Sequence, residues 1–382
     1  MTDQLDAILS KAAKTVAPAI TLHVIHRGQT RHQSAWGTAE ADTLFDLASL
    51  TKLFTVTAFL CAIGDRPLQT PLVEIVPEFG MQSPRPIEGA QDPHTRERGE
   101  VPDHLRGVQV DPADVTLWHL LTHTSGLPAW RDVFNTSSPP PPPASIDMIP
   151  RTERWRYGLK AMCAYPFVDQ VGATVIYSDI GMMLLGEVVA RLHGESLADA
   201  IRDHVTAPLG LERVLFDPVR VHGVNPSHIA TTEYDASWRQ RRVWGEVHDE
   251  NACGLGGVAG HAGLFGTSAD VAAFGEAWRT QSGFNISSAD WAQATRQQAA
   301  SGAHIHGLGW MLPSSTDSSA GDRISRAAFG HTGFTGTSLW IDRERELVVA
   351  LLTNSVHHGR GKTDIHGLRR AVHDAVIAEI EA

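Results

Sequence analysis

The order of elements along the 382 residues predicts an α/β fold built by the two chain ends, with a large, mainly helical domain inserted in it. Three observations predict it. Strand-like stretches stand close to the N-terminus, two further strands stand close to the C-terminus, and the apolar residues between recur mostly at helical spacing.

Residues 3–16 place Leu5, Ile8, Ala12 and Ala13 near one face, which predicts a short helix. Strands follow at 20–26 and 31–37, joined by a turn at Arg27-Gly28-Gln29. Residues 47–62 are apolar almost all round, as a helix enclosed by protein must be. Residues 80–112, rich in Pro, Gly and charge, read as a surface excursion, and the five prolines 139–143 as a stiff stretch in a second excursion, 131–150. Helical spacing returns at 113–123 and 179–193, and the middle to about residue 250 reads as helices with long loops. Beyond Gly254-Leu255-Gly256-Gly257 a helix is predicted over 269–280. Strands at 337–342 and 347–353 flank the charged turn Arg343-Glu344-Arg345. The second is apolar on both faces and so belongs at the sheet centre. A last helix, 363–380, aligns Ile365, Leu368, Val372, Val376 and Ile380. The elements divide the chain into an α/β domain (1–48 and 255–382) and a mainly helical domain (49–254), with the natural cleft between them.

Composition narrows the function. Hydrophobic residues make up 42% and charged ones 20%, enough apolar surface for a sizeable core. A formal net charge of −11 without a basic run argues against nucleic acid or an anionic membrane as partner. No run of 18 apolar residues occurs, and Met1-Thr2-Asp3-Gln4-Leu5-Asp6 opens no secretory signal, so a cytoplasmic location is predicted. Cys61, Cys163 and Cys253 read as reduced, packed thiols. The oligomeric state stays open.

The chemistry is carried by three short segments. In Ser49-Leu50-Thr51-Lys52, a spacing of three on a helix puts a hydroxyl and an amine on one face. The alternative is a serine cap beside a snorkelling lysine. Only five lysines exist, at 11, 14, 52, 160 and 362, so about 0.3 such matches are expected by chance. In Tyr177-Ser178-Asp179, a phenol near a lysine ammonium deprotonates more easily and can pass a proton, or else the segment merely caps the next helix. His331-Thr332-Gly333, followed by Phe334-Thr335-Gly336, reads as a strand end where a glycine admits a close substrate, or as a plain β-turn.

Together and in this order the three resemble the active-site motifs of class C β-lactamases, D-Ala-D-Ala peptidases and family VIII carboxylesterases. Residues 120–128 (LLTHTSGLP) and 257–265 (GVAGHAGLF) fit the same serine β-lactamase-like superfamily, and the resemblance is closest to its penicillin-binding-protein-4B-like branch. It implies a β-lactamase-like, transpeptidase-type α/β fold, an antiparallel sheet flanked by helices with the large helical domain inserted, and an acyl-enzyme mechanism without a cofactor or metal. Ser49 would be the nucleophile, Lys52 its proton partner and Tyr177 the second base and acid. His331, Thr332 and Gly333 would bind substrate, and the backbone N–H groups of Ser49 and Phe334 would form the oxyanion hole.

Two departures bear on the substrate. Asp179 stands where these enzymes carry an asparagine; a carboxylate only accepts hydrogen bonds, and in contact with Lys52 it would hold the lysine protonated. His331 replaces a lysine, and a mostly neutral imidazole suits a substrate carboxylate poorly. Both favour a carboxylesterase on short to medium acyl esters over a β-lactamase or D-amino-acid amidase; a non-catalytic binding protein is the reading of another class. Trp130 is a candidate wall of an acyl pocket, the alternative being that it is core like most tryptophans. The histidine pairs His119/His123, His304/His306 and His357/His358 read as hydrogen-bonded rather than metal-binding, because neither an H-E-x-x-H pattern nor a cysteine cluster accompanies them. His248 and Asp249 read as pins of a long loop rather than cleft residues.

Overall fold

The computed structural model describes residues 3–93, 95–137, 139–142 and 147–382. The two chain ends meet in one five-stranded antiparallel sheet. Its strands are β1 (Ala19–His26), β2 (Gln29–Gly37), β3 (Phe329–Thr332), β4 (Ser338–Asp342) and β5 (Leu347–Thr353), and they lie side by side as β3-β4-β5-β1-β2. The apolar strand assigned to the sheet centre, β5, is the middle one, and all its residues are buried. The polar β2 forms one edge and β3, the end of which is the His331-Thr332-Gly333 segment, forms the other.

The helices that position the site are α1 (Asp3–Thr15), α2 (Thr51–Ile63), α3 (Asp179–His193), α4 (Ser268–Thr280) and α5 (Ile365–Ile380). One sheet face packs on α1 and α5, where Leu5, Leu9, Val372 and Val376 meet Leu22, Val24, Val349 and Leu351. The other face takes α4 so closely that a Cβ on Gly275 would stand 2.7 Å from Val348 Cγ1. Behind α4, the almost wholly buried α2 packs against α3.

Several expectations shift in detail. The helix predicted over 47–62 begins only at Thr51, because Ala48 takes a left-handed φ of +47° and residues 48–50 form a single 3-10 turn. The helix at 113–123 shrinks to Leu117–Leu121, capped by the Thr116 side chain. The middle also holds two-residue strands too short for any alternation to show. Of these, Leu215–Phe216 pairs with Leu264–Gly266, which pairs with Phe45–Asp46 just before the turn that carries Ser49.

The excursions are not loose surface chain. In 80–112, the Arg85 guanidinium is fully buried between the rings of Phe79 and Phe167, at 4.2 and 4.6 Å, and donates to the carbonyls of Cys163 and Tyr165. Burial pushes its pKa down to about 10. Arg85→Ala leaves a cavity and two carbonyls without a donor, so a loss of about 2–4 kcal/mol is expected in urea unfolding. A loss below about 0.5 kcal/mol would show that the excursion is held by other contacts. In the proline run, Arg154 donates to the Pro139 carbonyl and Arg241 to that of Pro141. Pro143, the end of that run, lies outside the described residues. Among the described residues, no helix is long and apolar enough to cross a membrane.

Candidate active site

Ser49 sits on the 3-10 turn ahead of α2, and that turn is tied down from both sides. The buried Asp46 carboxylate accepts the N–H of Ala48 at 2.8 Å and of His248 at 2.6 Å, while burial raises its pKa. From the sheet, Thr335 and Thr337 donate their hydroxyls to the carbonyls of Asp46 and Leu47 at 2.7 and 3.0 Å. A Cβ on Gly333 would meet Thr337 Oγ1 at 2.1 Å and the Leu47 carbonyl at 2.6 Å. The glycine expected to admit a substrate is therefore demanded by the packing of β3 onto the turn that carries Ser49.

Lys52, one helical turn on, is fully buried. Its Nζ donates to Ser49 Oγ at 2.8 Å and to the His261 carbonyl at 3.2 Å, and lies 2.8 Å from Asp179 Oδ1. The Tyr177 ring centroid is 4.8 Å from the same nitrogen. The Tyr177 side chain is a further hydrogen-bond neighbour of the amine. Burial pulls Lys52 toward neutrality, but the Asp179 carboxylate, with help from Tyr177, outweighs it and raises the pKa above the ordinary lysine value. The conditional expectation holds: Asp179 touches Lys52 and keeps it charged. Desolvation likewise raises the half-buried Tyr177, although Lys52 and Ser49 pull the other way.

Two pockets open on either side of Ser49. The first, about 470 Å³, is lined by Tyr177, His304, His306, Met311, His331, Thr332, Gly333, Val356, Ile365 and Arg369. His331 is buried and its Nδ1 lies 2.7 Å from the Thr332 carbonyl. Desolvation first, then the Lys52 charge, lowers its pKa to about 3, and burial lowers that of His306 to about 4. At neutral pH neither imidazole is a cation. Arg369 is the charged group here; its Nη2 donates to the carbonyls of Gly333 and Thr337 at 2.7 and 2.9 Å.

The second pocket, about 240 Å³, is lined by Trp130, Asp179, His248, Asp249, Glu250, His261, Phe334 and Arg360. Phe334 is about half exposed and stacks on His248 with ring centroids 5.7 Å apart. His248 and Asp249 thus stand in a pocket wall, contrary to the loop reading. They do pin the chain as well: His248 pairs with Glu233 at 2.9 Å, and Asp249 meets His261 at 2.8 Å and caps the next helix. Burial works against the Asp249 carboxylate, but the adjacent His261 holds its pKa well below the usual range.

Among the described residues two groups bring three metal-ligating side chains within 4.8 Å, His193-Glu195-His204 near the surface and Asp179-Asp249-His261 here. In the second, the Lys52 ammonium already occupies the Asp179 oxygen and would oppose a bound cation. Of the histidines read as merely hydrogen-bonded, His119 caps its own helix and His357 meets Thr231, but His304 and His306 line the first pocket. Their spacing of two along a strand puts both on one face, a signal that could have marked the pair. Arg369 and Arg360 had no such signal, since nothing local distinguishes them from surface arginines.

Several known proteins are similar to this chain in sequence or in fold. A putative D-alanyl-D-alanine carboxypeptidase of Escherichia coli (strain K12) is 26% identical over 388 residues, spanning 93% of this chain and 82% of that protein. A protein of the same name from Salmonella agona is 27% identical over 394 residues, with the same shares covered. Among solved structures, simvastatin synthase (LovD) from Aspergillus terreus superposes with a TM-score of 0.71 at 17% identity, covering 99% of both chains. EstCE1, a hydrolase with promiscuous acyltransferase activity, does so at 0.68 and 18%, covering 97% of both. A D-stereospecific amidohydrolase from Streptomyces gives 0.64 at 18%, covering 92% of this chain and 94% of that one. At these identities the structures establish a shared fold. A family model described as Beta-lactamase matches residues 5–373, nearly the whole length, and the chain belongs to that family of serine hydrolases.

Proposed function

We propose that the protein is a carboxylesterase that hydrolyses short to medium acyl esters with an uncharged leaving group, through an acyl-enzyme at Ser49. The observation that carries this is the state of His331: where the resembled β-lactamases and peptidases place a lysine, this chain has a buried, neutral imidazole. Met311, Val356 and Ile365 add apolar surface to the same pocket.

In this reading, residues 49–254 bring Ser49, Lys52 and Tyr177 to the substrate, and residues 255–382 bring His331, Thr332 and Phe334. Ser49 Oγ attacks the ester carbonyl and its proton passes to the Lys52–Tyr177 pair. The oxyanion is received by the backbone N–H groups of Ser49 and Phe334. Collapse expels the alcohol, which takes its proton from Tyr177, and water then releases the acid by the reverse relay. Trp130 walls the smaller pocket.

A second reading is a D-amino-acid peptidase or amidase, supported by the relatives' name and by Arg369, a buried guanidinium that lines the larger pocket and pairs with no carboxylate among those of the described residues. Rates on p-nitrophenyl acetate, p-nitrophenyl butyrate, nitrocefin and D-Ala-D-Ala, compared with Ser49→Ala, separate the two. Ester turnover that dominates and disappears with Ser49→Ala is the expected result. Dominant dipeptide or nitrocefin turnover would transfer the assignment to the second reading, and an unchanged Ser49→Ala variant would remove Ser49 as nucleophile.

A further inference from the structure

Residues 120–128 stood out in the sequence, yet the chemistry above uses none of their side chains. His123 within them has an unusual backbone, a left-handed φ of +58° that residues other than glycine seldom adopt. In that conformation its carbonyl and its ring both reach the segment that carries Tyr177. The carbonyl accepts the N–H of Ile176 at 2.8 Å, and ring Nδ1 accepts the N–H of Ser178 at 3.1 Å. One residue therefore holds the backbone N–H groups of both neighbours of Tyr177. The seam continues with Ser178 Oγ donating to the Pro128 carbonyl at 2.6 Å and the Asp179 N–H to that of Ala129 at 2.9 Å.

We infer that His123 is a positioning residue for Tyr177, aiming the phenol at Ser49 by gripping the backbone before and after it. The inference rests on Tyr177 serving Ser49 as proposed above. A histidine that only filled space would need neither the left-handed turn nor two bonds to one segment. The ring is buried and tilted at 47° to the Tyr177 ring, with centroids 4.8 Å apart, so it also limits how far the phenol can swing. Because Nδ1 accepts a backbone N–H, the ring proton resides on Nε2. Burial, with the nearby His306 and Lys52, keeps the imidazole neutral, which preserves the accepting lone pair across the neutral range.

The test compares His123→Leu, His123→Asn and His123→Gln with the parent on p-nitrophenyl butyrate, each checked by thermal melting, with Ser49→Ala alongside. Leucine removes the acceptor, and kcat is expected to fall by about 100-fold while KM stays within about threefold, because a small misplacement of a catalytic group acts on the chemical step. Asparagine tolerates the left-handed region and carries its oxygen at the same distance from Cβ as Nδ1, so it should recover kcat to within about fivefold. Glutamine, one bond longer, should not. A folded leucine variant with parental kcat, or asparagine and glutamine variants of equal activity, would overturn the positioning role. Should the leucine variant fail to fold, the asparagine–glutamine pair decides alone by the same criterion. Turnover surviving in Ser49→Ala sinks the underlying reading instead, a result separable from any behaviour of the His123 variants.

Discussion

Lys52→Met is expected to lower kcat/KM for p-nitrophenyl butyrate by about 10⁴-fold, at the upper end of what proton transfer by a placed side chain contributes. The size follows from how many roles meet on one nitrogen. Nζ holds Ser49 Oγ at 2.8 Å, is the only buried cation in direct contact with that hydroxyl among the described residues, and stands 4.8 Å from the Tyr177 ring. Methionine keeps most of the volume and removes all three roles. In the proposed relay serine and lysine act as one unit, so the double variant Ser49→Ala/Lys52→Met should be no slower than the worse single variant. Stability should change far less. The Asp179 side chain is partly open to the pocket and rehydrates when its partner is gone, and a buried ammonium no longer has to be desolvated, so a loss of about 1–3 kcal/mol is expected. Steady-state rates and urea unfolding on the same preparations check both. A variant within tenfold of the parent would make Lys52 a structural cation and leave Tyr177 as the sole proton partner.

What could be read from the sequence was whatever is local. Ser49 and Lys52 lie three apart where a 3-10 turn runs into α2, and that local geometry brings their side chains together. The unbroken apolar run of β5 announces a strand covered on both faces, and it is the central strand. The neutrality of His331 followed from residue type, and burial only deepened it. What escaped was non-local or carried by backbone. The carbonyl that accepts from Lys52 belongs to His261, 209 positions away, and any residue would supply it. The left-handed turns at Ala48 and His123 are imposed by packing, in residues that do not advertise that conformation. Gly333 was singled out as a place for substrate to approach, but the space it frees is taken by Thr337 and Leu47. Burial of Arg85 between two rings could not be seen because Phe167 lies 82 positions beyond it.

Asp179→Asn is expected to move the rising limb of the kcat/KM pH profile to lower pH by about one unit or more, a gain of about tenfold at a fixed pH on that limb. With Asp179 in place, the Lys52–Tyr177 pair rests as ammonium plus phenol, since both members are raised above their ordinary values. Such a pair has no lone pair ready for the Ser49 proton. Activity therefore rises as the pair loses its first proton, a step that belongs to the pair and to neither residue. A negative charge 2.8 Å from Nζ opposes that loss, so the limb of the parent lies high. Asparagine keeps a carbonyl oxygen near Nζ but removes the charge, and burial then favours the neutral amine. A group whose deprotonated form is active shows its limb at its own pKa, so lowering that pKa shifts the limb downward. The height of the plateau is a separate matter, because the amide also adds a donor to the smaller pocket. A limb that stays in place would mean that Asp179 does not govern the charge of the pair, and the counter-ion role assigned to it would fall. A limb that moves upward would mean that the reaction needs the ammonium itself, with Tyr177 alone taking the proton.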